Sequence, residues 1–229
     1  MTATTATPTV KRAAAKRSTV KPAAAVKRPA AHKPSAAPLT ARQEARRRRI
    51  LTASTRLAAG GGFEAVQMRE VAERSGVALG TLYRYFPSKI HLLVAVMEHQ
   101  LGKLHETLRT RPPTAAAPGE RVADTLLRAF RALQREPLLA DAMVRALIFA
   151  DRSVRAEVDT VSRLTTTIIV DAMALPGEPA APQLAAIRVI EHTWHAVLVT
   201  WLSDRATVPQ VTADIRTVCG LLDRAPATP

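Results

Sequence analysis

From Thr40 onward the apolar residues of this chain recur at steps of three and four, the spacing that lines one face of an α-helix. A first helix starts at Leu39-Thr40-Ala41-Arg42-Gln43, where Thr40 and Gln43 have capping-box spacing. It runs to about Ala59 with Ile50, Leu51, Ser54, Leu57 and Ala58 inward. Gly60-Gly61-Gly62 stops it, and Phe63 returns to the core. Two short helices follow at 67–75 and 78–86, divided by Gly76, a residue suited to the left-handed conformation that ends a helix. A longer helix begins after Ser88 and carries Ile90, Leu93, Val94, Met97, Leu101, Leu104 and Leu108 as one stripe. Pro112-Pro113 to Pro118-Gly119 breaks the pattern, and further helices are expected at about 120–135, 137–150, 153–175, 182–205 and 209–223. Pro137 and Pro209 fall in first turns, where a missing N–H is harmless. The expectation is an all-α fold of about nine helices.

Two short helices joined by a glycine turn make a helix-turn-helix. Val71 and Ala72 face inward from the first; Leu82 and Phe86, four apart, do so from the second. The opposite face of the second helix holds Leu79, Gly80, Thr81, Tyr83, Arg84 and Tyr85. Glycine permits close backbone approach, threonine offers a methyl and a hydroxyl to base edges, and tyrosines reach phosphates or thymine methyls. Ser88 caps the next helix, where Lys89 and the free backbone N–H groups of the first turn form a phosphate clamp. Arg46 to Arg49 is a four-arginine run just upstream; it reads as phosphate contact, through Arg46 and Arg49, or as a solvated face.

The run Gly-Gly-Phe-Glu-Ala-Val-Gln-Met-Arg-Glu-Val-Ala, followed by Gly-Val-Ala-Leu-Gly-Thr-Leu-Tyr-Arg-Tyr-Phe-Pro-Ser-Lys, resembles the DNA-binding domain of TetR-family repressors over about residues 42–95. The resemblance implies DNA contacts at Arg69, Leu79, Gly80, Thr81, Tyr83, Tyr85 and Lys89, and a second, helical domain that binds an effector and dimerises. Gln67 and Ala78 depart from the usual polar caps, which leaves each helix start weaker by roughly 1 kcal/mol; Gln67 with Glu70 could restore part of a capping box. Residues 134–146, Phe149-Ala150-Asp151 and Thr200-Trp201-Leu202 resemble a narrower branch of the family that represses cholesterol-catabolism genes. What that implies is a homodimer on an inverted-repeat double-stranded DNA operator. Release would come from a small hydrophobic effector, a steroid-derived or fatty acyl-CoA thioester; another hydrophobic molecule is the alternative.

Charge divides unevenly. Of 33 Lys and Arg and 19 Asp and Glu in the 229 residues, thirteen bases and one acid, Glu44, lie in residues 1–49; the rest of the chain is nearly neutral. Residues 1–38 have no acid and five prolines, so they bury little apolar area and are expected to be disordered. A DNA-grazing tail, an organelle transit peptide and a solvated tail without a role all fit that composition, and prolines at 22, 29, 34 and 38 count against an amphipathic transit helix. The expected organisation is a basic tail to 39, a DNA-binding domain at 40–95, an effector and dimerisation domain at 96–223, and a flexible end at 224–229. The single Cys219 excludes a disulfide framework or cysteine metal site within one chain, and no apolar run approaches the ~20 residues of a membrane span. A cytoplasmic, nucleoid-associated protein with no membrane partner is expected.

The helix at 183–204 is apolar on more than one side and needs cover on both flanks. With the last helix it resembles the pair through which TetR-family subunits dimerise, giving Trp194, Leu198, Trp201, Ile215 and Val218 as interface candidates. Met97, Phe130, Met143, Leu147, Phe149 and Ile168 are candidates for an effector pocket, by analogy among the central helices, although core and pocket wall use the same residue types. Arg145, Arg152 and Arg155 could meet coenzyme A phosphates or form a solvated surface. Glu191, His192 and His195 share a helix but lack a His-Glu-x-x-His pattern or a nucleophile elbow, so no enzyme, catalytic residue, cofactor or metal is expected. An architectural DNA-binding protein is the remaining alternative.

Overall fold

The structure is a computed structural model in which residues 40–224 are described; the expectations for the tail at 1–39 and for the chain beyond Arg224 lie outside the described residues. The described chain is helical: α1 (Ala41–Ala65), α2 (Met68–Ser75), α3 (Leu79–Tyr85), α4 (Lys89–Thr110), α5 (Pro118–Arg135), α6 (Pro137–Ile148), α7 (Arg155–Met173), α8 (Ala181–Leu202), α9 (Val208–Cys219) and the single turn α10 (Leu221–Arg224). A 3-10 turn at Arg152–Val154 leads into α7.

Local chemistry sets most boundaries. Thr40 Oγ accepts from the Gln43 N–H at 3.3 Å while Gln43 Oε1 accepts from the Thr40 N–H at 2.7 Å, a full capping box. The triple glycine breaks the first helix as expected, with Gly62 at φ 69°, a conformation glycine adopts without strain. Gly76 ends α2 at φ 65°. The proline at each of 118, 137, 182 and 209 sits in a first turn. The Gln67–Glu70 box does not form: Gln67 makes no side-chain cap, because Glu70 is drawn to Arg74 at 2.6 Å, one turn on.

Two groups of buried side chains hold the elements together. The first joins Ile50, Leu51, Val71, Leu82 and Phe86 of the helix-turn-helix end to Leu139, Ala142, Met143 and Ala146 of α6. The second joins α5, α8 and α9 through Val122, Leu126, Phe130, Ile187, Ile190, Val211 and Ile215. The expected boundary at 95/96 falls inside α4, and the first group spans it. The single-stripe reading of α4 needs correction: His91 to Val96 are all buried, since α1, α6 and α7 surround that stretch and leave it no solvated side. Arg121 clamps the body by donating to the Met173 carbonyl that ends α7, an acceptor a helix end leaves open, and to Ala116 O at 2.6 Å in the loop before α5. No helix among the described residues is long and apolar enough to cross a membrane.

Candidate nucleic-acid interface

The helix-turn-helix positions α3 from behind. Leu82 is fully buried and Phe86 nearly so, while Val77 N–H donates to Ala72 O at 3.0 Å and holds the turn closed. Anchoring one face of a seven-residue helix this firmly leaves the other face bare: Leu79 is 36% and Tyr83 46% exposed. Among the described residues, nothing beyond its chain neighbours and its own turn of helix lies within 4 Å of where a side chain on Gly80 would begin, so this glycine relieves no crowding there and keeps an open backbone approach. Thr81 is half-buried, and its hydroxyl accepts from the Arg84 guanidinium at 3.4 Å. Arg69 stands exposed at the start of α2.

Two expected contacts are placed differently. Tyr85 is half-buried against the first core, its hydroxyl 3.5 Å from the Gln43 carbonyl, so it braces α3 on α1 instead of projecting with Tyr83. The Lys89 amine lies 3.8 Å from the centre of the Phe63 ring and 3.7 Å from a Glu64 carboxylate oxygen. Burial, more than the opposing pull of Glu64, lowers its pKa below the usual lysine value. A phosphate contact therefore requires this amine to swing off the ring. The start of α4 is otherwise as expected, with Ser88 Oγ accepting from the His91 N–H at 3.4 Å. In the arginine run, Arg47 is committed inward, 3.2 Å from Glu98 and over the Phe86 ring; Arg48 and Arg49 are exposed and Arg46 half-buried.

The six expected effector-pocket residues do not come together. Met97, Met143 and Leu147 belong to the first core, Phe130 to the second, and Ile168 is buried on α7. Phe149 is 57% exposed, its ring edge-on to Phe63 with centroids 5.7 Å apart. An open cleft of about 380 Å³ lies instead along Arg47, Glu98, His99, Gly102, Lys103 and Leu164, and none of the six lines it. Desolvation first, then Lys103 and Arg47, push the His99 pKa down. Arg145 and Arg155 pair with Asp141 and Asp159 one turn away.

The interface candidates divide by burial. Leu198, Ile215 and Val218 are buried within their own chain, and Trp201 packs edge-on against Phe130 at 5.0 Å; Trp194 is half-buried on the same core. Leu198, Ile215 and Val218 leave a partner little surface to cover, whereas the half-buried Trp194 and Trp201 keep some. The outward row of α8 and α9 is Val189, His192, His195 and Ala196 with Ala213, Asp214 and Thr217, continued by Leu221 at the start of α10. Polar residues separate the apolar ones along this face, so no large apolar stripe marks it in the sequence.

Residues 50–96 match the family described as bacterial regulatory proteins, tetR family, and residues 116–222 the tetracyclin repressor-like C-terminal domain. The chain is 48% identical over 169 residues to the HTH-type transcriptional repressor KstR of Rhodococcus jostii (strain RHA1), covering 74% of this chain and 78% of that one. This chain belongs to the TetR family. It is a KstR-like transcriptional repressor rather than an enzyme, of a family whose members bind operator DNA as dimers. The crystal structure of a TetR transcriptional regulator from Rhodococcus sp. RHA1 superposes with a TM-score of 0.74 at 38% identity, over 79% of this chain and 97% of that one. That of FadR from Bacillus subtilis in complex with stearoyl-CoA superposes at 0.58 and 21% identity, over 79% and 99%, a likeness of fold.

Proposed function

We propose that this protein represses genes of lipid or sterol breakdown from an inverted-repeat operator and is released from it by an acyl-CoA thioester, sterol-derived in the first instance. The observation that carries the DNA half of the reading is the bare row Leu79, Gly80 and Tyr83, with the half-buried Thr81 beside it, on a helix whose other side is anchored by Leu82. Two such helices related by a twofold axis enter successive major grooves, so the half-sites lie about 34 Å apart or a multiple of it. The effector half rests on similarity to KstR, whose relatives on the narrower branch set the expectation of a sterol thioester, and on a fold that in FadR accommodates stearoyl-CoA.

In this mechanism the effector changes the tilt of α4, whose buried first half carries the helix-turn-helix, and moves the two α3 helices out of groove register. Linkage requires operator DNA to weaken effector binding by the same factor. The test is fluorescence anisotropy of a duplex selected in vitro by the wild-type protein. It is titrated at constant salt with the CoA thioester of a steroid side-chain acid, with palmitoyl-CoA and with free coenzyme A. Release by the steroid thioester alone is expected. Release by palmitoyl-CoA alone moves the effector to fatty acyl chains, and no release by any of the three removes the thioester from the mechanism.

A further inference from the structure

The helix-turn-helix is gripped at both of its ends by one short segment of the body. Phe63 precedes α2 and His91 follows α3; both touch the turn between α6 and α7, Phe63 through the ring of Phe149 and His91 through the carbonyl of Ser153. His91 is buried, with Nε2 3.2 Å from that carbonyl oxygen. A carbonyl only accepts, so Nε2 carries the hydrogen, and Nδ1 is left to accept from the Ser88 hydroxyl at 2.9 Å. The same Ser88 oxygen caps α4, so one neutral tautomer satisfies every partner. Ser153 is fixed from the other side, since Asp151 Oδ1 accepts from its N–H at 2.8 Å and its hydroxyl at 2.6 Å.

From this geometry we infer that His91 is a positioning residue for operator binding: it latches the α6–α7 turn to the first turn of α4 and fixes the angle at which the DNA-reading head leaves the body. A buried histidine satisfied by two partners is often no more than core. Here Ser153 lies 62 residues from His91, and the two partners sit on the two parts whose relative angle a dimeric DNA reader must hold. A head free to rock costs ordering at each half-site engaged simultaneously, and nothing extra on one half-site alone. The latch thus matters for two-headed binding, and in that respect the inference rests on the operator reading above.

Two variants of the full chain separate latch from core. His91→Gln puts an amide N–H where Nε2 sits and keeps the bond to Ser153; His91→Asn puts its amide oxygen where Nδ1 sits, still accepts from Ser88 and drops Ser153. With the selected duplex, whole and cut to one half-site, His91→Asn is expected to lose about tenfold on the whole site and under about twofold on the half-site, the scale of a lost preorganising contact. His91→Gln should stay near wild type on both. Parallel losses on both duplexes together with a lower melting temperature would assign His91 to the core and overturn the proposal, as would wild-type binding by His91→Asn. Hydrogen exchange across 63–91 without DNA reads the latch independently: faster in His91→Asn, unchanged in His91→Gln, with equal rates in both variants against it. Should wild type show no preference for two half-sites over one, the operator reading falls while the exchange result still decides the latch.

Discussion

Helices α3 and α8 divide the labour of this protein between a face open to DNA and a body given chiefly to packing. The shorter, α3, buries one leucine completely and leaves Leu79 and Tyr83 in solvent; the longer, α8, buries Ala186, Ile187, Ile190, Val197 and Leu198 and presses Trp194 and Trp201 onto the same core. What α3 offers a partner is side-chain chemistry on a fixed backbone, whereas α8 offers shape. Substitutions at exposed α3 positions should therefore separate binding from stability, and substitutions under α8 should not.

The largest effect is expected beneath α8. Phe130→Ala removes a ring that is 1% exposed and packed on Trp201, and should cost about 3–5 kcal/mol, read as a shifted denaturant midpoint with an unchanged slope. A loss below about 1 kcal/mol would mean that the second core tolerates the gap. On α3, Thr81→Ala should alter base preference at one operator position by about 1–3 kcal/mol while unfolding moves by less than about 0.5 kcal/mol. A uniform loss across operator variants would instead make Thr81 a backbone contact.

The smallest effects concern Lys89, at the seam between head and body. Lys89→Met should flatten the log–log salt dependence of binding by about 0.9 per subunit if the amine leaves Phe63 for a phosphate, and an unchanged slope would leave it on the ring. Its pKa adds a sign. Since burial holds the folded amine below 10.5, the unfolded chain binds more protons between the folded value and 10.5, and stability rises with pH through that window. Chemical unfolding of wild type should follow that rise and Lys89→Met should lack it.

Legibility followed the range of the interactions. The capping box at Thr40, the glycine stops at Gly62 and Gly76 and the first-turn prolines all act within four residues, and the chain wears them openly. Tyr85 leans on Gln43, 42 residues away, and such a position looks the same in a linear string as one that projects freely. Leu198, Ile215 and Val218 pose a related problem: a large apolar residue can be core or contact, and its burial within its own chain is not written in the linear string.

Sequence by itself determined that this is a helical protein with a helix-turn-helix reader, because helix periodicity, capping and turn chemistry are local and because the α3 motif keeps its spacing. Tertiary structure alone decided that α4 is enclosed by α1, α6 and α7, that Lys89 rests on Phe63, and that Phe149 and Ser153 clasp the reader at both ends. Those contacts join residues dozens of positions apart, and no local pattern encodes which of several compatible surfaces will meet.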